Sequence, residues 1–218
     1  MGWVEFGAAF VAFFLSHSIP VQPPVRTVLV RHLGSRGFTL AYSAMSLAIL
    51  AWLIVAAGRA PYVSLWAWAP WQNHIAMAVM LAVCLFLAFA IATPNPFSFG
   101  GSHNERFDPD NPGILRFLRH PLLVVLGLWA FAHVLPNGNL AHVILFVVFA
   151  AFALLGQKII DRRKQWQMGD DWDRLWAQTC EARIALPRQS LIRLMLALGI
   201  YGVSLWLHPV LLGVSPLP

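Results

Sequence analysis

Histidine is the residue type in this chain whose positions best suit chemistry. The sequence has 8 histidines among 218 residues, of which 59% are hydrophobic. A polar ring inside an apolar helix is costly unless it meets a partner, and neutral imidazole is a common iron ligand. Four histidines lie within or at the ends of apolar runs, where they could act as ligands: His17, His74, His120 and His133. The others fall in polar loops or near helix ends, where contact with water is expected: His32, His103, His142 and His208.

The fourth apolar run carries two of these histidines, His120 at its start and His133 near its end. Trp129 precedes His133 by four residues, so the two rings share one face of a helix. Gly127 and Ala130 form a small-residue strip where a neighbouring helix or a flat ligand can approach. Two histidines on facing helices can ligate haem b, and they can equally make plain hydrogen bonds between helices. Spacing alone leaves both explanations open.

The elements that position these residues are predicted to be membrane helices. Only 11% of the residues are charged, whereas a soluble domain carries roughly 25%. The apolar runs are about as long as a helix needs to cross a ~30 Å hydrocarbon core. The sequence therefore predicts an all-α, polytopic membrane helical bundle with about six transmembrane helices. The six runs are Trp3–Ile19, Thr39–Ala57, His74–Thr93, Phe117–Leu135, Leu140–Ile160 and Leu194–Leu212.

The chain is expected to form a single membrane domain, residues 1–218, with a core at 5–160 and a last transmembrane helix at 194–212. Between them, residues 161–190 are polar and rich in Trp, with acids and bases mixed. This composition predicts two short amphipathic helices at the cytoplasmic interface, partly covering the opening of the bundle. The Trp residues expected at the headgroup level are Trp166, Trp172 and Trp176.

The basic residues predict the orientation. Fourteen of the 15 Lys and Arg residues fall on one side if all six runs cross the membrane, and only Arg59 falls on the other. By the positive-inside rule, both termini of a multi-pass protein in a bacterial inner membrane would then be periplasmic. Since the bases lie between apolar runs, the net charge of +6 indicates contact with membrane lipids and no nucleic acid. The settings of Cys84 and Cys180 differ, so no disulfide is expected.

Three segments resemble the NnrU family of bacterial membrane proteins. They are Ser16-His17-Ser18-Ile19, Leu118-Arg119-His120-Pro121-Leu122-Leu123, and Leu128-Trp129-Ala130-Phe131-Ala132-His133-Val134-Leu135 followed by Asn137-Gly138. The resemblance covers about residues 5 to 190. The family is named for denitrification gene clusters and includes the plant and cyanobacterial zeta-carotene isomerase.

The resemblance to that isomerase implies a haem b enzyme that turns a cis double bond of a lipophilic polyene to trans, without net oxidation or reduction. The axial ligands that it implies are His17 and His133, and His120 belongs to the same set of site residues. Trp129, beside His133, is expected to contact the cofactor. Arg116 and Arg119 precede the fourth helix and are expected to hold the haem propionates as charge-assisted pairs.

The levels of the histidines in the membrane predict different pairs. His120 and His133 are thirteen residues apart on one helix, which is ~20 Å along its axis. His17 is expected at the level of His120. Pairs at one level would therefore be His17 with His120, or His74 with His133. The pair implied by the resemblance and these two alternatives remain open on the sequence.

Two other functions fit parts of the sequence. Arg119-His120-Pro121 with the basic tail also resembles the isoprenylcysteine carboxyl methyltransferases, which implies S-adenosylmethionine binding at the cytoplasmic face. That family's Tyr and Gly after the Pro are replaced here by Leu123 and Val125. The third function is non-catalytic: an assembly or regulatory factor for nitrogen oxide respiration, as the name of the NnrU family suggests.

Overall fold

The computed structural model describes residues 2–99, 101, 103–183 and 190–218. Within these ranges the fold is all-helical, apart from one isolated β-bridge between Ser64 and Asn139. Two 3-10 turns, Asn104–Arg106 and Gly113–Arg116, lie between the third and fourth helices. The seven α-helices in the described ranges are α1 (Gly2–Ser18), α2 (Pro23–Arg59), α3 (Pro70–Ala90), α4 (Pro121–Val134), α5 (Leu140–Met168), α6 (Asp170–Glu181) and α7 (Ser190–Leu212).

Four of these helices, α2, α3, α5 and α7, are long and apolar enough to cross a membrane. The protein is therefore a multi-pass membrane protein, as predicted. The helix α4 is apolar but has only 14 residues, about 21 Å of length against a ~30 Å hydrocarbon core. The helix α1 has 17 residues.

The second helix differs from its prediction, because it begins sixteen residues before Thr39. Pro23 and Pro24 occupy the first helical turn, where a missing N–H costs nothing. The expectation that His32 lies in a polar loop was therefore wrong, since it lies within α2. Gly34 interrupts this helix with a φ of 72° and a ψ of 164°.

The polar tail forms one separate helix where two were predicted. The residues from Asp161 to Met168 continue α5 without a break, so the first predicted amphipathic helix does not exist as an element. Gly169 ends α5 with a φ of 56°, a conformation that glycine adopts at little cost. The second predicted helix is confirmed as α6, and residues 184–189 of the predicted tail lie outside the described residues.

The described residues form two compact units. The first contains residues 1–66 and 138–145, and the second contains residues 67–137 and 146–218. In the first unit α1 packs against α2. A Cβ on Gly2 would collide with the carbonyl oxygen of Arg59, so glycine permits the close approach of these helix ends. Glu5 and Arg59 form an ion pair of 3.1 Å there. The buried apolar residues of this interface are Phe6, Ala9, Phe13, Leu53, Ala56 and Ala57.

In the second unit α3 packs against both α4 and α7. Small residues let α4 and α5 approach closely, since a Cβ on Gly127 would lie 3.6 Å from the Cβ of Ala153. A Cβ on Gly156 would lie 3.4 Å from a methyl group of Leu123. Ala130 is fully buried. The small-residue strip predicted on the fourth helix therefore receives a neighbouring helix at Gly127.

Candidate functional site

The two histidines of α4 lie in different settings, both within the second unit. His120 directly precedes the helix and its side chain is 2% exposed. Its Nε2 lies 2.8 Å from Asp161 Oδ1, and its Nδ1 lies 2.9 Å from Ser98 Oγ. A carboxylate can only accept, so Nε2 carries a proton and donates it to Asp161. In the neutral ring Nδ1 accepts from the Ser98 hydroxyl. Both ring nitrogens of His120 are therefore occupied.

Arg119 completes the charge balance of this cluster. Its Nη2 donates to Asp161 Oδ2 over 2.9 Å, so Asp161 binds Arg119 and His120 with its two oxygens. The guanidinium lies 4.8 Å from the ring centre of Trp172 and 4.6 Å from that of Trp176, within cation–π range. The helix α6 is thereby attached to the start of α4. Trp172 is buried, whereas Trp166 is 86% exposed.

Asn95 holds the loop that carries Ser98. Its Nδ2 donates to the Arg119 carbonyl, and its Oδ1 accepts from the backbone N–H groups of Phe97 and Ser98. Phe97 is fully buried and contacts Trp176 edge to face, with ring centres 5.3 Å apart. The loop is thus fixed by an amide and an aromatic contact, which places Ser98 against His120.

The charge state of His120 follows from its burial. His120 lies outside the four long apolar helices and before the first residue of α4. Burial lowers the pKa of His120 below its ordinary value of 6.5, although the hydrogen bond and the charge of Asp161 act in the opposite direction. The ring is therefore neutral at pH 7, in a closed network with Asp161 and Ser98.

His133, in the last turn of α4, uses only one ring nitrogen. Its Nδ1 lies 2.7 Å from the Trp129 carbonyl oxygen, which only accepts, so Nδ1 carries the proton and the lone pair is on Nε2. The ring centres of Trp129 and Phe146 each lie 5.1 Å from that of His133, and that of His208 lies 6.4 Å away. Nε2 of His133 has no hydrogen-bond partner among the described residues. This is the form of imidazole that ligates a metal.

His17 lies in the first unit, near the end of α1. Its Nδ1 lies 2.8 Å from the Phe13 carbonyl oxygen and 3.1 Å from Ser16 Oγ, so this nitrogen also carries the proton. Its ring is 4.3 Å from that of Phe13 and 5.8 Å from that of Tyr42, between ring centres. The lone pair of neutral His17 is on Nε2, as in His133.

The remaining predicted residues are placed as follows. His74 lies exposed in the first turn of α3, with Nδ1 3.0 Å from the Pro70 carbonyl oxygen. Within the part of the chain that the structure describes, no hydrogen bond or ring contact joins it to His133. Arg116 extends over the Phe117 ring at 5.9 Å, and its Nη1 is buried with no hydrogen-bond partner among the described residues.

Three residues of these clusters were not predicted from the sequence. Asp161 was assigned to the interfacial tail, although an acid near the end of an apolar helix is a signal of a buried pair. Ser98 gives no signal in the sequence. His208 was assigned to water at a helix end, yet it lies beside His133 and is half-buried.

The fold and these clusters define an all-helical, multi-pass membrane protein with histidines held among its helices. The sequence comparison names the family: the chain belongs to the NnrU family (NnrU protein), whose model matches residues 5–216. No curated protein and no solved structure matches the chain.

Proposed function

We propose that this NnrU family protein binds haem b, and that His133 would hold the iron through Nε2. The observation that carries the proposal is the fixed tautomer of His133. Its Nδ1 proton is donated to the Trp129 carbonyl, so Nε2 presents its lone pair. A backbone carbonyl bound to the second nitrogen of a ligating histidine orients the ring and makes it a better ligand. Trp129 and Phe146 give this ring an apolar, aromatic environment.

The donor set of this chain fits a haem at His133. His133 and His17 both carry the proton on Nδ1, so both have the tautomer required for ligation through Nε2. The resemblance to zeta-carotene isomerase supports His17 as the second ligand. His120 is a poorer ligand, because Asp161 and Ser98 occupy both of its nitrogens.

The propionates would be bound by arginine. Both arginines have a buried guanidinium nitrogen with no hydrogen-bond partner among the described residues, Nη1 of Arg116 and Nε of Arg119. Arg116 fits this role better, because Asp161 already neutralises Arg119. A guanidinium makes strong, charge-assisted hydrogen bonds to a carboxylate.

The proposed reaction is cis-trans isomerisation of a lipophilic polyene. The family resemblance supports this chemistry, and the largely apolar chain suits a substrate that dissolves in lipid. Bound haem would supply a redox-active iron beside the substrate. The chain itself would orient the iron through His133 and exclude water with the aromatic rings around it.

The proposed topology has six crossings, with α1 and α4 added to the four long helices, and both termini in the periplasm of a bacterial inner membrane. The distribution of Lys and Arg supports it. An alkaline phosphatase fusion after residue 218 should be active, and a fusion at Gln165 should be inactive. The reverse pattern would contradict the proposed orientation.

The absorption spectrum of the detergent-purified protein tests the function. We expect a Soret band, and resolved α and β bands after reduction, as for a haem with two histidine ligands. Addition of S-adenosylmethionine to the same preparation, followed by calorimetry, is the matched measurement. A spectrum without visible bands, together with S-adenosylmethionine binding, would replace the haem proposal with the methyltransferase one.

A further inference from the structure

We infer that Tyr42 of α2 is a positioning residue for His17, the second iron ligand of the proposed function, on which this role rests. The Tyr42 ring meets the His17 imidazole edge to face, with ring centres 5.8 Å apart and planes inclined by 66°. Both residues lie in the first unit, where α1 packs against α2. Neither the family resemblance nor the spacing in the sequence assigns Tyr42 a role.

A hydrogen bond alone does not fix the plane of the His17 ring. Nδ1 of His17 donates to the Phe13 carbonyl over 2.8 Å, which fixes the position of one atom of the imidazole. The ring can still turn about that nitrogen, and the direction of the Nε2 lone pair turns with it. The Phe13 ring, with its centre 4.3 Å away, and the Tyr42 ring restrict this rotation from two different helices. These contacts therefore set the direction in which His17 would bind a metal.

In the second unit His133 has the same arrangement as His17. Its Nδ1 donates over 2.7 Å to the carbonyl of Trp129, the aromatic residue four positions earlier, as His17 does in α1. The Trp129 ring also contacts the imidazole, with ring centres 5.1 Å apart. The following helix adds a second ring, since Phe146 of α5 lies 5.1 Å away. Phe146 thus contacts His133 in the way that Tyr42 contacts His17.

His74 shows that the hydrogen bond from Nδ1 is ordinary helix geometry. Its Nδ1 lies 3.0 Å from the carbonyl oxygen of Pro70, again four positions earlier, although the His74 side chain is exposed. In the part of the chain that the structure describes, no aromatic ring contacts His74. The two aromatic neighbours, and not the hydrogen bond, therefore distinguish His17 and His133 from a histidine at the surface.

The ring of Tyr42 is itself supported within α2. The Phe38 ring, one turn earlier, stacks on the Tyr42 ring with centres 5.9 Å apart and planes inclined by 24°. The Arg26 guanidinium lies 5.6 Å from the centre of the Phe38 ring, within cation–π range. In a straight helix Arg26 and Phe38 would be ~18 Å apart along the axis, so the interruption at Gly34 lets them meet. Two successive contacts thus join the first turns of α2 to Tyr42.

Electron paramagnetic resonance of the full-length, haem-loaded protein tests this role, because the low-spin ferric signal depends on the orientation of the two imidazole planes. Tyr42→Leu keeps an apolar side chain but removes the ring, so the signal should shift and broaden. Carbon monoxide, which replaces one histidine in the reduced protein, should bind roughly two- to tenfold more tightly, the effect of losing one aromatic ring pair. Tyr42→Phe should restore the signal and the carbon monoxide affinity, because the ring remains.

Tyr62→Leu is the matched control, since Tyr62 belongs to the same unit and is 72% exposed, and it should change neither measurement. Phe38→Leu is the second variant if Tyr42→Leu does not fold, and it should shift the signal in the same direction by less. An unchanged signal in these variants, or the same change in Tyr42→Phe as in Tyr42→Leu, would overturn the role of Tyr42 and leave the proposed function intact. Absence of a Soret band in the unmodified protein would instead contradict the proposed function, and the role of Tyr42 with it.

Discussion

The two ends of α4 hold histidines with opposite hydrogen-bonding states. His120, before the helix, has both nitrogens occupied by Asp161 and Ser98 and is almost fully buried. His133, at the other end, has one nitrogen bound to a carbonyl and the other without a partner among the described residues. The comparison teaches that the second nitrogen distinguishes a histidine closed in a protein network from one whose lone pair is available to a ligand. Burial and apolar neighbours are common to both.

The largest effect is expected when each of the two histidines is substituted in turn and haem binding is measured. His133→Ala should abolish the visible absorption, since it removes the proposed iron ligand, whereas His120→Gln should retain it. The ratio of absorbance at the Soret maximum to that at 280 nm measures the effect. If His120→Gln lost the haem and His133→Ala kept it, the roles assigned to the two ends of α4 would be reversed.

A large loss of stability is expected from Asp161→Ala. The substitution removes the acceptor of both Arg119 Nη2 and the His120 Nε2–H. The Asp161 and Arg119 side chains are only 21% and 24% exposed, so water replaces the carboxylate poorly. Breaking such a partly buried network costs about 2–3 kcal/mol of the free energy of unfolding. Thermal unfolding in detergent, followed by tryptophan fluorescence, measures it.

The control for that change is Asp171→Ala. Asp171 pairs with Arg174 at 2.7 Å, but both side chains are about 70% exposed. Exposed pairs contribute little, so the unfolding midpoint should stay the same. Equal decreases of the unfolding midpoint in the Asp161 and Asp171 variants would indicate that the cluster at His120 stabilises the protein no more than an exposed ion pair does.

The pH dependence of stability should distinguish the same cluster. The pKa of His120 is lowered in the folded protein, so the unfolded chain binds a proton first as the pH falls. Neutral His120 contributes fully to the free energy of unfolding above about pH 6.5. This contribution is lost as the pH falls from there to the pKa of His120 in the folded protein. The free energy of unfolding then changes by at most ~1.4 kcal/mol per pH unit. Unfolding midpoints of the unmodified protein between pH 7.5 and pH 5 should fall more steeply than those of His120→Gln. Parallel curves would show that His120 titrates alike in the folded and unfolded states.

The smallest effect is expected from Ser98→Ala. This change removes one hydroxyl donor from His120 Nδ1 and leaves the Asp161 contact in place. A single neutral hydrogen bond contributes about 1 kcal/mol to the free energy of unfolding. Haem absorption should stay unchanged, because Ser98 contacts His120 in the closed network and is not a proposed ligand. A loss larger than that of Asp161→Ala would show that Ser98, and not the carboxylate, dominates the cluster.

The sequence predicted the helices better than their ends. Apolar runs mark where a chain is buried in lipid or protein, so α3, α5 and α7 were located correctly. The first turns of α2 were missed, because Pro23 signals both the end of one helix and the start of the next. The continuation of α5 to Met168 was missed because a polar sequence was taken as a new element, whereas a helix continues until a residue such as Gly169 breaks it.

The clusters were harder to predict than the helices. His120, Asp161 and Ser98 come from separate parts of the chain, 41 and 22 residues from the histidine, and no local pattern joins them. The ring contact between His133 and His208 requires the position of α7, which apolar composition does not encode. By contrast, the contact of Trp129 with His133 follows from helical spacing and was predicted.

The break in α2 at Gly34 limits which part of this helix can cross a bilayer. A φ of 72° with a ψ of 164° is a backbone state open almost only to glycine, and it interrupts the helical ladder. Backbone groups released from that ladder need water, lipid headgroups or protein partners, because hydrocarbon offers them none. Gly34 therefore divides α2 into two helical stretches. Residues 35–59, about 37 Å long, are enough to cross a ~30 Å hydrocarbon core, whereas residues 23–33, about 16 Å long, are too short to cross it alone.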